Sequence, residues 1–80
     1  MNQSPRKGKI VEGRFAHTQS DDFFLIEILC GTFAEAQDAA VLYMRNHRMS
    51  ATLTWREGSP DPHGPVFYAS TPEITFRVRQ

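Results

Sequence analysis

The sequence predicts an α+β fold: a single helix packed on one face of a mostly antiparallel sheet of about five strands, in the order ββαβββ. Three observations carry this. Met49 to Arg56 and Glu73 to Arg79 alternate apolar and polar residues, the period-2 pattern of strands with one buried face. The stretch that begins at Thr32 instead repeats its apolar residues at helical spacing and opens on a capping signature. Polar, Gly- and Pro-bearing turn segments punctuate the rest.

Taken in order, Met1 to Gly8 is a polar stretch with Pro5 and Gly8, expected to be a flexible lead, so the domain proper is placed at 9–80. From Lys9 to His17, Val11 and Phe15 fall on odd positions against Glu12 and Arg14, a strand in which Gly13 marks a bend or bulge. Thr18, Gln19, Ser20 and Asp21 suit a turn. The second strand, Phe23 to Cys30, is apolar at seven of its eight positions, broken only by Glu27. The helix begins at Thr32, whose hydroxyl is placed to accept from the Glu35 backbone while the Glu35 carboxylate reaches back. At about 100° per residue, Phe33, Ala36, Ala40, Tyr43, Met44 and His47 share one face. The strand of Met49, Ala51, Leu53 and Trp55 follows, then an exposed Pro-rich loop from Gly58 to Pro65. A short strand at Val66 to Ser70, a turn at Thr71-Pro72 and the strand of Ile74, Phe76 and Val78 complete the chain.

The second strand poses the functional question. Strict alternation turns Phe24, Ile26, Ile28 and Cys30 to the helix, and Phe23, Leu25, Glu27 and Leu29 to the opposite face. One helix covers one face of a sheet. Unless the sheet curls into a partial barrel or the Pro-rich loop folds over, Phe23, Leu25 and Leu29 are exposed beside Arg14, Thr52, Thr54, Arg56, Arg77 and Arg79. An apolar patch of that kind marks an interface. Leu42, opposite the core face of the helix, is a second candidate contact. The expected core is Phe24, Ile26, Ile28, Phe33, Ala40, Leu53, Trp55, Ile74 and Phe76.

Composition narrows the function classes. Eighty residues, 40% hydrophobic and 22% charged, suit one small globular domain. Nine basic side chains balance nine acidic ones, which argues against an acidic DNA mimic and against a strongly basic nucleic-acid binder. Cys30 is the only cysteine, so no intramolecular disulfide forms, and its place on the inward face reads as structural. His17, His47 and His63 lack metal-pair spacing, and no phosphate-binding loop is present. No enzyme, metal or cofactor is expected. Neither a signal peptide nor a membrane-length apolar run is seen, so a cytoplasmic protein is expected, with no membrane partner. The rival to a protein partner is nucleic acid: Arg14, Arg56, Arg77 and Arg79 would form a basic stripe on the open face, with Phe23 stacking on a base. Against it stand the missing RNA-binding signatures and Glu27 and Glu73, expected on that face.

A neutral chain of this size, with one capped helix on an antiparallel sheet and no catalytic constellation, resembles the small phage-encoded anti-CRISPR proteins, especially inhibitors of type I effector complexes. The resemblance is of size and architecture across the whole chain and rests on no motif. It implies a non-enzymatic inhibitor that binds a Cas subunit of a type I complex (Cascade) in the host cytoplasm, blocking target-DNA binding or nuclease recruitment. Beside it stand a nucleic-acid-binding accessory protein and a homodimer joined through its back faces; the chain alone fits either monomer or homodimer.

Overall fold

A computed structural model of the chain describes residues 8–29 and 31–80. The expected lead, apart from Gly8, and the expected inward placement of Cys30 lie outside the described residues. The elements are β1 (Lys9–Phe15), β2 (Phe24–Leu29), α1 (Phe33–Asn46), β3 (Arg56–Glu57), β4 (Phe67–Ser70) and β5 (Ile74–Arg79). The strands form one antiparallel sheet in the order β2-β1-β5-β4-β3. This is the α+β architecture that the sequence predicts, with the two ends of the chain, β1 and β5, paired at its centre.

The helix starts where the sequence places it. Glu35 N–H donates to Thr32 Oγ1 at 3.2 Å, and Thr32 N–H donates to Glu35 Oε1 at 3.0 Å. Ala36, Ala40 and Met44 are buried, and the two alanines let the helix axis come close to the sheet. It stops without a glycine: Arg48 adopts a left-handed φ of 59°, while Met49 N–H reaches the Met44 carbonyl at 2.8 Å and Arg48 N–H reaches that of Arg45 at 3.2 Å. That pair of bonds closes the last turn and swings Met49 back to the core.

Residues opposed across an antiparallel ladder share a face. On the helix side lie Val11 opposite Val78, Gly13 opposite Phe76, and Phe67 and Ala69 of β4 opposite Val78 and Phe76. Val11, Ala69, Ile74 and Phe76 are wholly buried and Val78 nearly so. Gly13 is where the second strand packs down: a Cβ there would meet Phe24, Ile26 and Ile74 at 3.0–3.1 Å. Beyond the helix, the β4 half of this face is covered by Leu53 and Trp55, with the Phe33 ring 5.6 Å from that of Trp55 and 4.4 Å from that of Phe67.

Two expectations are corrected. Met49 to Trp55 is not a strand; the ladder begins only at Arg56, although Met49, Leu53 and Trp55 do pack against the core. It is a segment that covers the core without joining the ladder, and Thr52 and Thr54, exposed on it, lie outside the sheet. Ile28, expected in the core, is 58% exposed, whereas Leu29, expected outside, packs against the core. The cause is a bulge: Val11 opposes Glu27 but the next residue, Glu12, opposes Leu25, so Ile26 is an extra residue in β2. One extra residue reverses the facing of everything beyond it. Among the described residues, no helix is long and apolar enough to cross a membrane.

Candidate functional site

The face of the sheet away from the helix carries one transverse row through all five strands: Leu25, Glu12, Arg77, Tyr68 and Arg56, each opposed to the next. A shorter row beside it holds Ile28, Ile10 and Arg79, and a third holds Arg14, Thr75 and Ser70. Apolar side chains occupy the β2 end of this surface. Guanidinium groups, the Tyr68 ring, the Glu12 carboxylate and the hydroxyls of Ser70 and Thr75 occupy the rest.

Glu12 organises the middle. Only 7% exposed, it accepts hydrogen bonds from Arg77 Nε at 2.8 Å, from Arg79 Nε at 2.9 Å and from Arg79 Nη2 at 3.1 Å. Burial alone would push its pKa up; the hydrogen bonds from Arg79 and Arg77, and their charges, outweigh burial and hold the carboxyl below its ordinary 4.5. The same bond raises Arg79, against desolvation, with the charges of Glu12 and Asp61 adding to it. The Arg77 guanidinium, fixed on one side by Glu12, lies 4.0 Å from the centroid of the Phe23 ring. Across the sheet Arg56 sits 5.4 Å from the centroid of Tyr68.

Each sequence-predicted contact residue can now be placed. Phe23, Leu25, Arg56, Arg77 and Arg79 share the open face. Arg14 joins them at the margin, where its Nε donates to the Ser20 carbonyl at 2.8 Å and its Nη2 pairs with Asp21 at 3.3 Å. Leu29 does not belong, having been turned to the core by the bulge, and Ile28 takes its place. Leu42 is exposed on the helix side of the sheet, away from this surface. Glu27, expected to place a negative charge on the open face, opposes Val11 and so lies on the helix side. Sequence reasoning overlooked Glu12, Ile10 and Tyr68. Glu12 was the legible one, since a polar position in β1 opposite two strand arginines is where a partner carboxylate is needed.

Neither form of internal cover reaches the apolar end. The sheet keeps two free edges among the described residues, so it is no barrel. The Pro-rich loop is folded on itself by paired Asp61–Gly64 backbone bonds of 3.1 Å and by His63 N–H donating to Asp61 Oδ1 at 2.8 Å. It touches this surface at Tyr68, against which Gly58 packs too closely to admit a Cβ. Leu25 and Ile28 remain 57% and 58% exposed.

Three of the four predicted arginines are already matched to carboxylates, which lowers their value as phosphate ligands. A cleft of about 170 Å³ between β2 and α1, lined by Ile26, Glu27, Ala39, Leu42, Tyr43 and Asn46, falls short of the roughly 300–1,000 Å³ that enclose a small organic ligand. Comparison with known protein families, curated proteins and solved structures gives no match to this chain.

Proposed function

We propose that this chain is a non-enzymatic protein-binding inhibitor that docks on its partner through the open face of the sheet. The observation that carries the reading is the pairing of exposed Leu25 and Ile28 with a preformed Glu12–Arg77–Arg79 network beside them. Arginines fixed before binding lose little side-chain freedom on docking, and apolar anchors flanked by such arginines are the composition of protein interfaces. In its specific form the reading is a phage-encoded anti-CRISPR in the host cytoplasm. It would bind a Cas subunit of a type I effector complex and prevent target-DNA binding or nuclease recruitment; the likeness in size and architecture supports this form.

The test is target-DNA binding and cleavage by a purified type I effector complex with the chain added, beside a Leu25→Lys/Ile28→Lys variant. Inhibition by the parent and none by the folded variant is the expected result. No effect of the parent on several type I complexes removes the anti-CRISPR form. Binding of DNA or RNA by the chain alone, weakening with salt and lost on Arg56→Ala, would move the function to nucleic acid and overturn the reading.

A further inference from the structure

We infer that β2 is a self-pairing edge, and that two copies of this chain join through it, antiparallel about a two-fold axis, into one continuous sheet. The inference goes beyond the docking role of the open face: it shares Leu25 and Ile28 with that role but concerns the strand edge, and its test reads self-association with no partner present.

The two edges of the sheet are unlike. β3 has two residues, the short form that protects an edge from strand addition. β2 has six, contains neither lysine nor proline, and pairs among the described residues only with β1. Its outer N–H and C=O groups are therefore a template for another strand. Exposed large apolar side chains gather at the same edge. Leu25 and Ile28 flank it on the open face, Leu42 lines the cleft beside Ile26 and Glu27 on the helix side, and Val41 continues that surface. An edge strand with apolar cover on both flanks buries side chains on both faces when it gains a neighbour.

The bulge selects the occupant. Along β2, Phe24 faces the helix, Leu25 the open side, Ile26 and Glu27 the helix, Ile28 the open side and Leu29 the helix. This pattern reads the same from either end. An axis between Ile26 and Glu27 sets Leu25 opposite Ile28 of the second copy, Phe24 opposite its Leu29 and Ile26 opposite its Glu27, so every opposed pair shares a face. An isologous contact requires this self-complementarity, which an unrelated strand would match only by coincidence. Glu27, the one charge on the strand, then faces Ile26 and not its own copy. A formal net charge of zero means the copies do not repel at long range.

Sedimentation equilibrium of the full chain from roughly 10 µM to 1 mM, read together with hydrogen exchange of the β2 amides, tests the pairing. The expected result is a mass rising from 9.1 kDa to twice that value, with protection across Phe24–Leu29 that grows with concentration. Leu42→Arg, at an exposed helix position, should raise the dissociation constant at least about tenfold without changing the circular dichroism spectrum. Glu27→Gln, which removes two like charges flanking the axis, should lower it. A chain that stays at 9.1 kDa throughout overturns the inference and makes the bulge a device that keeps the edge from pairing. A dimer indifferent to Leu42→Arg but broken by Phe23→Ser would place the contact on the open face and overturn it equally.

Discussion

Phe76 and Arg77 are neighbours in β5 and point to opposite faces of one sheet. Phe76 is fully buried among Tyr43, Val11 and Ile74, where the helix excludes water. Arg77 is tied to Glu12 and laid on Phe23, ordered but still in reach of solvent. The first face gains its stability from apolar area and close packing. The second holds its shape through directional polar bonds that leave the side chains available to a partner. Because both faces share the same backbone, substitutions made in pairs across it separate folding from recognition.

The largest break comes on the helix side. Phe76→Ala should cost about 3–5 kcal/mol, a large part of the stability of a domain of this size, and chemical denaturation should show an early or non-cooperative transition. Trp55, expected from its alternation to be a full core residue, is half-buried in the covering segment. Trp55→Ala should therefore cost less, about 2–3 kcal/mol. Equal losses at the two positions would mean that the covering segment is as integral to the core as β5.

On the open face the strongest effect should come from Glu12. Glu12→Gln leaves two guanidinium groups without their carboxylate and should cost about 1–3 kcal/mol at neutral pH, measured by urea unfolding. The pH dependence identifies the source. The Glu12 pKa is lower in the folded chain than its ordinary 4.5, so its contribution is fully present above about pH 4.5 and is lost as pH falls through the folded value. The gap in stability between parent and Gln variant should accordingly stay constant above about pH 4.5 and narrow only below it, as the pH falls through the lowered folded value. A gap that stayed constant there as well would mean that the carboxylate charge is not what holds the arginines.

What was legible in the sequence follows the same division. The helix was legible because Thr32 and Glu35 specify its start through local bonds and its apolar residues repeat at a fixed period. β5 was legible because alternation there is strict, and β1 because Val11 and Phe15 alternate with Glu12 and Arg14, although Ile10 breaks the pattern. The second strand was only half legible. Nearly every residue in it is apolar, so periodicity could not reveal that Ile26 is inserted and that Ile28 and Leu29 exchange faces. That exchange depends on the register with β1, a non-local property. The covering segment deceived for the opposite reason: its residues alternate, and Met49, Leu53 and Trp55 pack against the core, without joining the ladder. Of the predicted contact residues, the arginines fell where period 2 placed them. Their pairing with Glu12 depended on which strands are neighbours, and β1 and β5 are separated by most of the chain.

The smallest effects give the finest comparison, between Phe23 and Leu25. Both were expected to be equivalent exposed anchors, and the structure distinguishes them. The Phe23 ring supports the Arg77 guanidinium, an arrangement that contributes roughly 0.5–1 kcal/mol at such sites. Leu25 lies at the end of the transverse row, with more than half its surface in water. Phe23→Ser should therefore lower stability by about that amount and loosen Arg77, while Leu25→Ser should stay within roughly 0.5 kcal/mol of the parent. In a binding assay the order should change, because Leu25 contributes apolar area that only a partner buries, and both variants should bind weakly. A Leu25→Ser variant that lost stability as Phe23→Ser does would mean that the apolar end of the open face is covered within the free protein. One thermal melt of each variant decides between a surface kept open for a partner and one already occupied.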